Sequence, residues 1–483
     1  MSTSPISTPP ATHPATATDA RHLRTTVALA VLGVFVTYVP VTSVSVALTT
    51  IGTATGAGTA DLQWVSDAYV IPMAAAVLSA GVVGDLHGRR RVFLAGMSLT
   101  VLGAVIAGLA GTAEGSAAVH ALWAGQAVSG LGAGALLPTT LALVAHAVPD
   151  PRRRGRCVNA WATGIVVGLA LGPLLSGTIL RYLDWGWIYA PTGVLAALAA
   201  VVALVALPES KAPAGRHLDW AGQVLATVTV AASIYGVIEG GEHGWTSVPC
   251  LVALGLAAIA LVAFVVAESR SAAPLMELSL YRDGQFTAAG VSALIALFSI
   301  VGTAFLLSLF LGYTQRLSPL GIGLRLLFTA GVSALVNPLV GALMSRVRPL
   351  VLLGFGMFLS AVALLLIGAI DETTGFADLV WRLAVFGVAM SFMLTPVSVV
   401  AINAVPWRSA GAAAATNTAL RQYGGALGPA VLGVVFNGRI GAGASAASAL
   451  STALLVNVVL VLAAGALCIV VAVRRREDAP RGR

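Results

Sequence analysis

Charged residues are scarce in this sequence. Only 10% of its 483 residues are Asp, Glu, Lys or Arg, whereas 58% are hydrophobic. An ordinary soluble domain has roughly 25% charged residues, and a water-soluble fold could not hide this much apolar surface. The shortage of charge therefore excludes a soluble globular protein and predicts a protein embedded in a lipid bilayer.

Residues suited to catalysis or metal binding are also few. The three cysteines, Cys157, Cys250 and Cys468, lie far apart without CxxC spacing, so they predict neither a disulfide framework nor a zinc site. No two of the seven histidines have the spacing of metal ligands, and there is no P-loop for ATP. We therefore expect no metal, no cofactor and no enzymatic activity, with a receptor or scaffold as a remote alternative.

Long apolar runs fill most of the chain. Stretches of roughly 20 residues, each long enough to cross the bilayer as a helix, recur from about Thr25 to Val473. A membrane barrel would need short segments of alternating polarity, whereas residues 194–207 are apolar at every position. The pattern predicts an all-α polytopic membrane protein with about fourteen transmembrane helices.

Polar breaks divide these runs into blocks of six, two and six helices. The predicted order is a disordered cytoplasmic leader (1–24), a six-helix bundle (25–207), a cytoplasmic linker (208–217), two additional helices (218–267), a second linker (268–285), a second six-helix bundle (286–473) and a basic cytoplasmic tail (474–483). The leader has neither the basic start nor the apolar run of a signal peptide.

Basic residues are distributed unevenly. If the N-terminus is cytoplasmic, most of the 27 lysines and arginines fall in inner segments, and only Arg181, Arg316 and Arg439 fall in outer ones. The positive-inside rule then predicts that both termini are cytoplasmic. Topology thereby explains the net charge of +8 without a nucleic-acid partner. The single lysine, Lys211, among so many arginines is typical of a GC-rich genome and indicates a bacterial inner membrane.

A motif follows the second apolar run. It has the pattern G-x-x-x-D-x-x-G-R-R and consists of Gly81, Gly84, Asp85, Gly88, Arg89 and Arg90. A basic loop obeying the positive-inside rule would not need an acid and glycines at these spacings. The motif resembles the signature loop of the major facilitator superfamily. This resemblance implies the major facilitator fold, with two six-helix bundles, and a loop that acts as a gate between them.

The fifth run has small residues at helical spacing before a kink: Gly164, Gly168, Gly172, Pro173 and Gly177. Such faces are also generic packing devices. The pattern resembles the antiporter motif of exporters in that superfamily, and WVSDAY (64–69), LPES (207–210), IEGGEHGW (238–245) and NTALRQYGGALG (417–428) resemble segments of the fourteen-spanner drug:proton antiporters. The implied function is proton-driven export of antibiotics or other lipophilic small molecules. An importer or facilitator of a small metabolite is the alternative.

Two family positions lack their usual charge. The acid of the first span is replaced by Pro40, and the arginine of the fourth span is absent from the segment that begins at Gln126. Ionisable residues inside a membrane are costly and are therefore functional candidates. Asp67 is the leading proton carrier by elimination, with Glu239 second, although Asp67 would be unremarkable as a water-exposed acid at a helix N-terminus. Gln126 is a candidate neutral substrate contact.

Arg421 is the strongest candidate for a buried cation. It lies about ten residues into the thirteenth run, with Asn417 one turn earlier. Arg421 could serve the substrate path or bind backbone carbonyls between helices, and both interpretations stay open. Arg325 and Arg382 lie nearer the outer face, where long side chains snorkel. No residue identifies the transported compound or an oligomeric state.

Overall fold

The computed structural model describes residues 17–148, 151–211, 219–271, 274–405 and 410–477. Within these ranges the chain forms long α-helices and no strand, as the apolar runs predict. The helices are α1 (Ala17–Thr55), α2 (Thr59–His87), α3 (Arg89–Leu109), α4 (Gly115–Ala147), α5 (Pro151–Ile179), α6 (Ala190–Ala206), α7 (Trp220–His243), α8 (Val248–Arg270), α9 (Gly284–Leu309), α10 (Pro319–Leu343), α11 (Pro349–Gly368), α12 (Phe376–Asn403), α13 (Ala410–Gly441) and α14 (Ala446–Glu477).

Most of these helices can cross a membrane. Among the described residues, 12 are long and apolar enough, and α2 adds a further span if its two segments, which meet at 51°, are counted together. Polar and glycine residues interrupt the apolar sequence of α13, which is not in this group. The all-α polytopic architecture is therefore confirmed, whereas the count of fourteen spans stays a prediction.

Helix α1 begins earlier than expected. It starts at Ala17, so the predicted disorder of residues 17–24 is wrong. Alanine, arginine and leucine in this stretch are good helix formers, and the helix of the first span extends into them. The rest of the predicted leader (1–16), most of the first linker (212–218) and the end of the basic tail (478–483) lie outside the described residues.

Close helix crossings hold the first and last six helices together. In the first block, α1 packs on α5, and α4 packs on both α2 and α3; in the last, α9 packs on α13, and α11 packs between α12 and α14. The two blocks meet where α5 lies against α10 and where α2 lies against α13. Helices α7 and α8 form a hairpin whose α7 contacts both α2 and α13.

The blocks are in direct contact on the side of the molecule where α1 ends and α2 begins, called here the α1–α2 side. Gly312, in the turn after α9, lies against Thr49 of α1, such that an added Cβ would stand 3.0 Å from Thr49 Cβ. A Cβ on Gly177 of α5 would lie 2.7 Å from the Cα of Leu320 in α10. This side is therefore closed.

Candidate functional site

The glycines of α5 form its contact with α1. A Cβ on Gly164, Gly168 or Gly172 would lie within 3.0 Å of a carbonyl oxygen of α1, closer than real side chains pack. Thr42 of α1 strengthens the crossing, since its hydroxyl donates to the carbonyl oxygen of Leu169 at 3.0 Å. These three glycines therefore allow the backbones of α1 and α5 to pack closely. This is the generic packing role that the sequence also allowed for them.

The rest of the α5 motif faces another helix. Gly323 of α10 packs directly against the carbonyl oxygen of Pro173, and Gly177 packs against Leu320. At Pro173 the helix thus exchanges α1, a partner in its own block, for α10, a partner in the other block. The motif thus packs α5 against α1 in its first part and against α10 in its second part. The contact with α10 places Pro173 at the boundary between the blocks.

A cavity lies beside Pro173, between α1 and α5 on one side and α9, α10 and α12 on the other. Its volume is about 480 Å³ when the part that is open to solvent is counted. Three threonines supply its polar groups, and no charged side chain of the described residues lines it. The lining residues are Thr42, Leu169, Pro173, Ile300, Thr303, Ala304, Leu307, Leu326, Thr329, Ala330, Leu383, Phe386 and Met390.

The loop between α2 and α3 is tied to the end of α6. Asp85 pairs with Arg89 at 2.7 Å, while a carboxylate oxygen of Glu209 accepts the backbone N–H of Arg90 at 3.1 Å. Gly88 has φ +118°, and a Cβ there would lie 2.6 Å from the carboxyl carbon of Glu209. The backbone conformation therefore requires glycine at position 88, and a larger residue would also displace the carboxylate of Glu209.

The other two glycines of the motif lie in the last turns of α2 and are less constrained. A Cβ on Gly81 or Gly84 would meet its nearest atom only at 3.5 Å or beyond, which is ordinary contact. The contacts of Asp85, Arg89 and Arg90 given above all lie within the first six helices, and the segment before α13 (406–409) is outside the described residues. The role of the loop as a gate between the blocks stays a prediction.

Asp67 is completely buried in α2. Among the described residues, neither of its carboxylate oxygens has a hydrogen-bond partner, and no ion pair involves it. The alternative of a water-exposed acid at the helix N-terminus is therefore wrong. Gln63, one turn earlier, packs against Gly433 of α13, so Asp67 lies close to the contact between the two blocks. A buried carboxylate without a partner strongly disfavours its charged form.

Glu239 has a different environment. It lies near the end of α7 and pairs with Nδ1 of His243 at 2.9 Å, and the His243 side chain is 64% exposed. An acid with a partner at the edge of the molecule does not have the isolation that makes Asp67 a candidate.

Gln126 and Asn417 are buried between helices. Gln126 donates from Nε2 to the carbonyl oxygen of Val65 at 3.1 Å, joining α4 to α2. Asn417 donates to the carbonyl oxygen of Ala289 at 3.4 Å, joining α13 to α9. Neither lines the cavity. Each residue makes a hydrogen bond between two helices, and the substrate contact predicted for Gln126 stays a prediction.

Arg421 reaches across the boundary between the blocks. Its Nη2 lies 3.5 Å from the hydroxyl of Tyr38 in α1. Its neighbour Gln422 also crosses, with Nε2 at 3.1 Å from the sulfur of Met73 in α2. Sequence reasoning missed Gln422 and Tyr38, although a second polar residue in an apolar helix is a usable signal. It also missed the cavity, whose residues carry no motif.

Comparisons with known proteins agree with this arrangement. The sequence model of the Major Facilitator Superfamily matches residues 30–429. The chain is 35% identical over 406 residues to the multidrug resistance protein Stp of Mycobacterium tuberculosis, covering 84% of this chain and 74% of the relative. It is 28% identical to the tetracenomycin C resistance and export protein of Streptomyces glaucescens, covering 89% of this chain and 78% of the relative.

A solved structure supports the fold alone. The D-xylose–proton symporter superposes with a TM-score of 0.68 at 12% identity, covering 92% of this chain and 97% of that one. The predicted major facilitator fold is thus confirmed. The family match and the curated relatives show that the protein is a multi-pass membrane transporter rather than an enzyme. Given the match over most of its length and the identity to Stp, the chain belongs to the Major Facilitator Superfamily.

Proposed function

We propose that this transporter exports antibiotics or other small, partly apolar compounds from a bacterial cytoplasm in exchange for protons, with the proton gradient as its energy source. The names of its relatives support drug export, since they include a multidrug resistance protein and an antibiotic resistance and export protein. The apolar cavity between the two blocks supports small-molecule cargo, because transporters of this design bind substrate between their repeats.

The orientation follows from the basic residues. With both termini in the cytoplasm, the closed α1–α2 side faces outward. Export then requires the contacts of Thr49 with Gly312 and of Gly177 with Leu320 to open. In alternating access, a cavity faces each side of the membrane in turn, so closure on one side accompanies opening on the other.

The environment of Asp67 is the observation that supports proton coupling. Its carboxylate is buried without a partner beside the contact of Gln63 with Gly433, so the closed arrangement favours the neutral acid. Binding of a proton from outside permits closure of this side. Release of the proton toward the cytoplasm leaves a charge that the closed contact does not tolerate, and it drives the return to the outward-open state.

The test uses inverted bacterial membrane vesicles with a pH gradient and a panel of antibiotics. We expect compound-specific dissipation of the gradient in vesicles with the wild-type protein, and none with Asp67→Asn at equal expression. Asp61→Asn is the matched control, because Asp61 is on the same helix but caps its first turn. Glu239→Gln tests the second candidate.

The outcomes separate the two parts of the proposal. Normal proton movement in Asp67→Asn would remove Asp67 from the mechanism, and a loss in Glu239→Gln alone would transfer the role to Glu239. Absence of any antibiotic-dependent proton movement in the folded wild-type protein would contradict proton antiport itself.

A further inference from the structure

Among the residues that the structure describes, no ionisable side chain lines the cavity between the blocks. The two arginines adjacent in sequence to lining residues are turned elsewhere. Arg325 donates to the carbonyl oxygen of Gly321 at 3.0 Å and lies over the ring of Phe376 at 5.0 Å. Arg382 donates to the carbonyl oxygen of Leu366 at 3.1 Å.

These surroundings disfavour a charged ligand of either sign. A cation in the cavity would be desolvated without a carboxylate to pair with it, and burying an unpaired charge is expensive. An anion would find the guanidinium groups of Arg325 and Arg382 already directed at backbone carbonyls. An uncharged molecule incurs neither cost.

One polar group in the cavity has no partner. Thr42 donates to the carbonyl oxygen of Leu169, and Thr303 accepts a hydrogen bond from Asn457. The hydroxyl of Thr329 is buried and has no hydrogen-bond partner among the described residues. A threonine within a helix commonly bonds the carbonyl one turn earlier, and a buried polar group left unsatisfied is destabilising. A ligand oxygen that reached the Thr329 hydroxyl would satisfy it, with a small movement of the surrounding side chains.

The remaining walls suit a flat ring. Phe386 and Met390 lie one turn apart on α12 and both line the cavity. Aromatic rings stack with one another, and methionine sulfur makes favourable contacts with ring edges. Leu326 and Ala330 of α10 complete an apolar wall beside Thr329.

We propose that this cavity binds uncharged, largely apolar aromatic molecules that carry a hydrogen-bonding oxygen, that Thr329 binds this oxygen, and that permanent cations are excluded. The inference rests on the proposed function, because it takes the cavity to be where the cargo binds. It names a narrower class of cargo than multidrug export does, and it makes Thr329 a residue that determines specificity.

Binding to the purified full-length protein tests this without any proton gradient. The probes are Nile red, which is uncharged and carries a carbonyl oxygen, and rhodamine 6G, a permanent cation of similar ring system, both followed by fluorescence anisotropy. We expect saturable binding of Nile red and at least tenfold weaker binding of rhodamine 6G. Thr329→Val should weaken Nile red binding about fivefold to tenfold, the effect of one hydrogen bond, and Thr329→Ser should restore it.

Two further variants act as controls. Thr229→Val makes the same change on α7, where the hydroxyl bonds the carbonyl of Leu225, and it should leave binding unchanged. Met390→Glu should introduce binding of rhodamine 6G, whereas Met390→Gln should not, with folding of each variant checked by size-exclusion chromatography.

Equal binding of the two dyes by the wild-type protein, or unchanged Nile red binding in folded Thr329→Val, would overturn the inference. Thr329-dependent binding of Nile red supports it even if the vesicle experiment finds no proton coupling. The failure of the proposed function and the failure of this inference are thus distinguishable.

Discussion

Single glycines determine how closely helices approach in this protein. Gly424 of α13 lies directly against the carbonyl oxygen of Leu294 in α9, which leaves no room for a side chain. Gly130 of α4 has the same relation to the carbonyl oxygen of Tyr69 in α2. Small residues of this kind let helices pack tightly. In a membrane this close packing matters because lipid is as apolar as the side chains, so the hydrophobic effect does not drive helices together.

This packing predicts the effect of Gly424→Ala. The added Cβ forces α13 and α9 apart, and overpacking of this kind costs about 1–3 kcal/mol. We expect a lower melting temperature and less folded protein, measured by fluorescence-detected size-exclusion chromatography after heating. Gly331→Ala on α10 is the control, because a Cβ there meets nothing within 4 Å and alanine favours helix by about 1 kcal/mol. Equal melting temperatures for the two variants would contradict the packing argument.

At the scale of the helices, the α2–α3 loop depends on one carboxylate. Glu209, just beyond α6, accepts the N–H groups of Arg90 and Ser210 and lies 3.7 Å from Nε of Arg91. The start of α3 is thereby held to the end of α6. The loop is ordered by contacts within the first block, whatever further contacts it makes during transport.

Glu209→Gln should loosen this loop while leaving the helices intact. The neutral amide keeps the shape but loses the charge-assisted part of these bonds, which are about twice as strong as neutral ones. We expect faster hydrogen exchange at the amides of Arg89 and Arg90, about threefold to tenfold, measured by mass spectrometry. Exchange in α4 should not change, and unchanged exchange in the loop would show that Glu209 does not hold it.

Across the whole molecule, the two blocks meet on the α1–α2 side through small residues. Gly312 lies against Thr49, and Gly52 lies against the hydroxyl of Tyr313. At both contacts a glycine lets the two blocks approach closely, and in the proposed cycle these contacts separate when this side opens. Helix α7 contacts both α2 and α13, and its Ser233 hydroxyl lies 2.9 Å from that of Tyr423.

A disulfide across this boundary should stop transport. In a background with alanine at Cys157, Cys250 and Cys468, the pair Thr49→Cys and Gly312→Cys places two Cβ atoms about 3.0 Å apart. A disulfide needs roughly 3.5–4.5 Å, so the turn after α9 has to move outward by about half an ångström for the bond to form. We expect oxidation to abolish antibiotic efflux from cells and reductant to restore it, because the outward side cannot open. Each single cysteine variant is the control. Full efflux with the cross-link formed would contradict opening at this boundary.

The sequence by itself determined the class of this protein. Low charge, long apolar runs and the distribution of arginine are local properties, and the bilayer acts on each segment almost independently. The superfamily and the candidate Asp67 were therefore predictable, and so was the glycine at position 88. The start of α1 was misjudged because Ser, Thr and Pro earlier in the leader obscured the helix-forming residues that follow.

Only the tertiary structure decided what each candidate touches. It leaves Asp67 without a partner, directs Gln126 at a backbone carbonyl and brings Arg421 to Tyr38. It also assembles the cavity from five helices far apart in sequence. Its lining residues are ordinary apolar side chains and threonines, and their meaning arises only from packing between distant helices, which no local pattern in the sequence encodes.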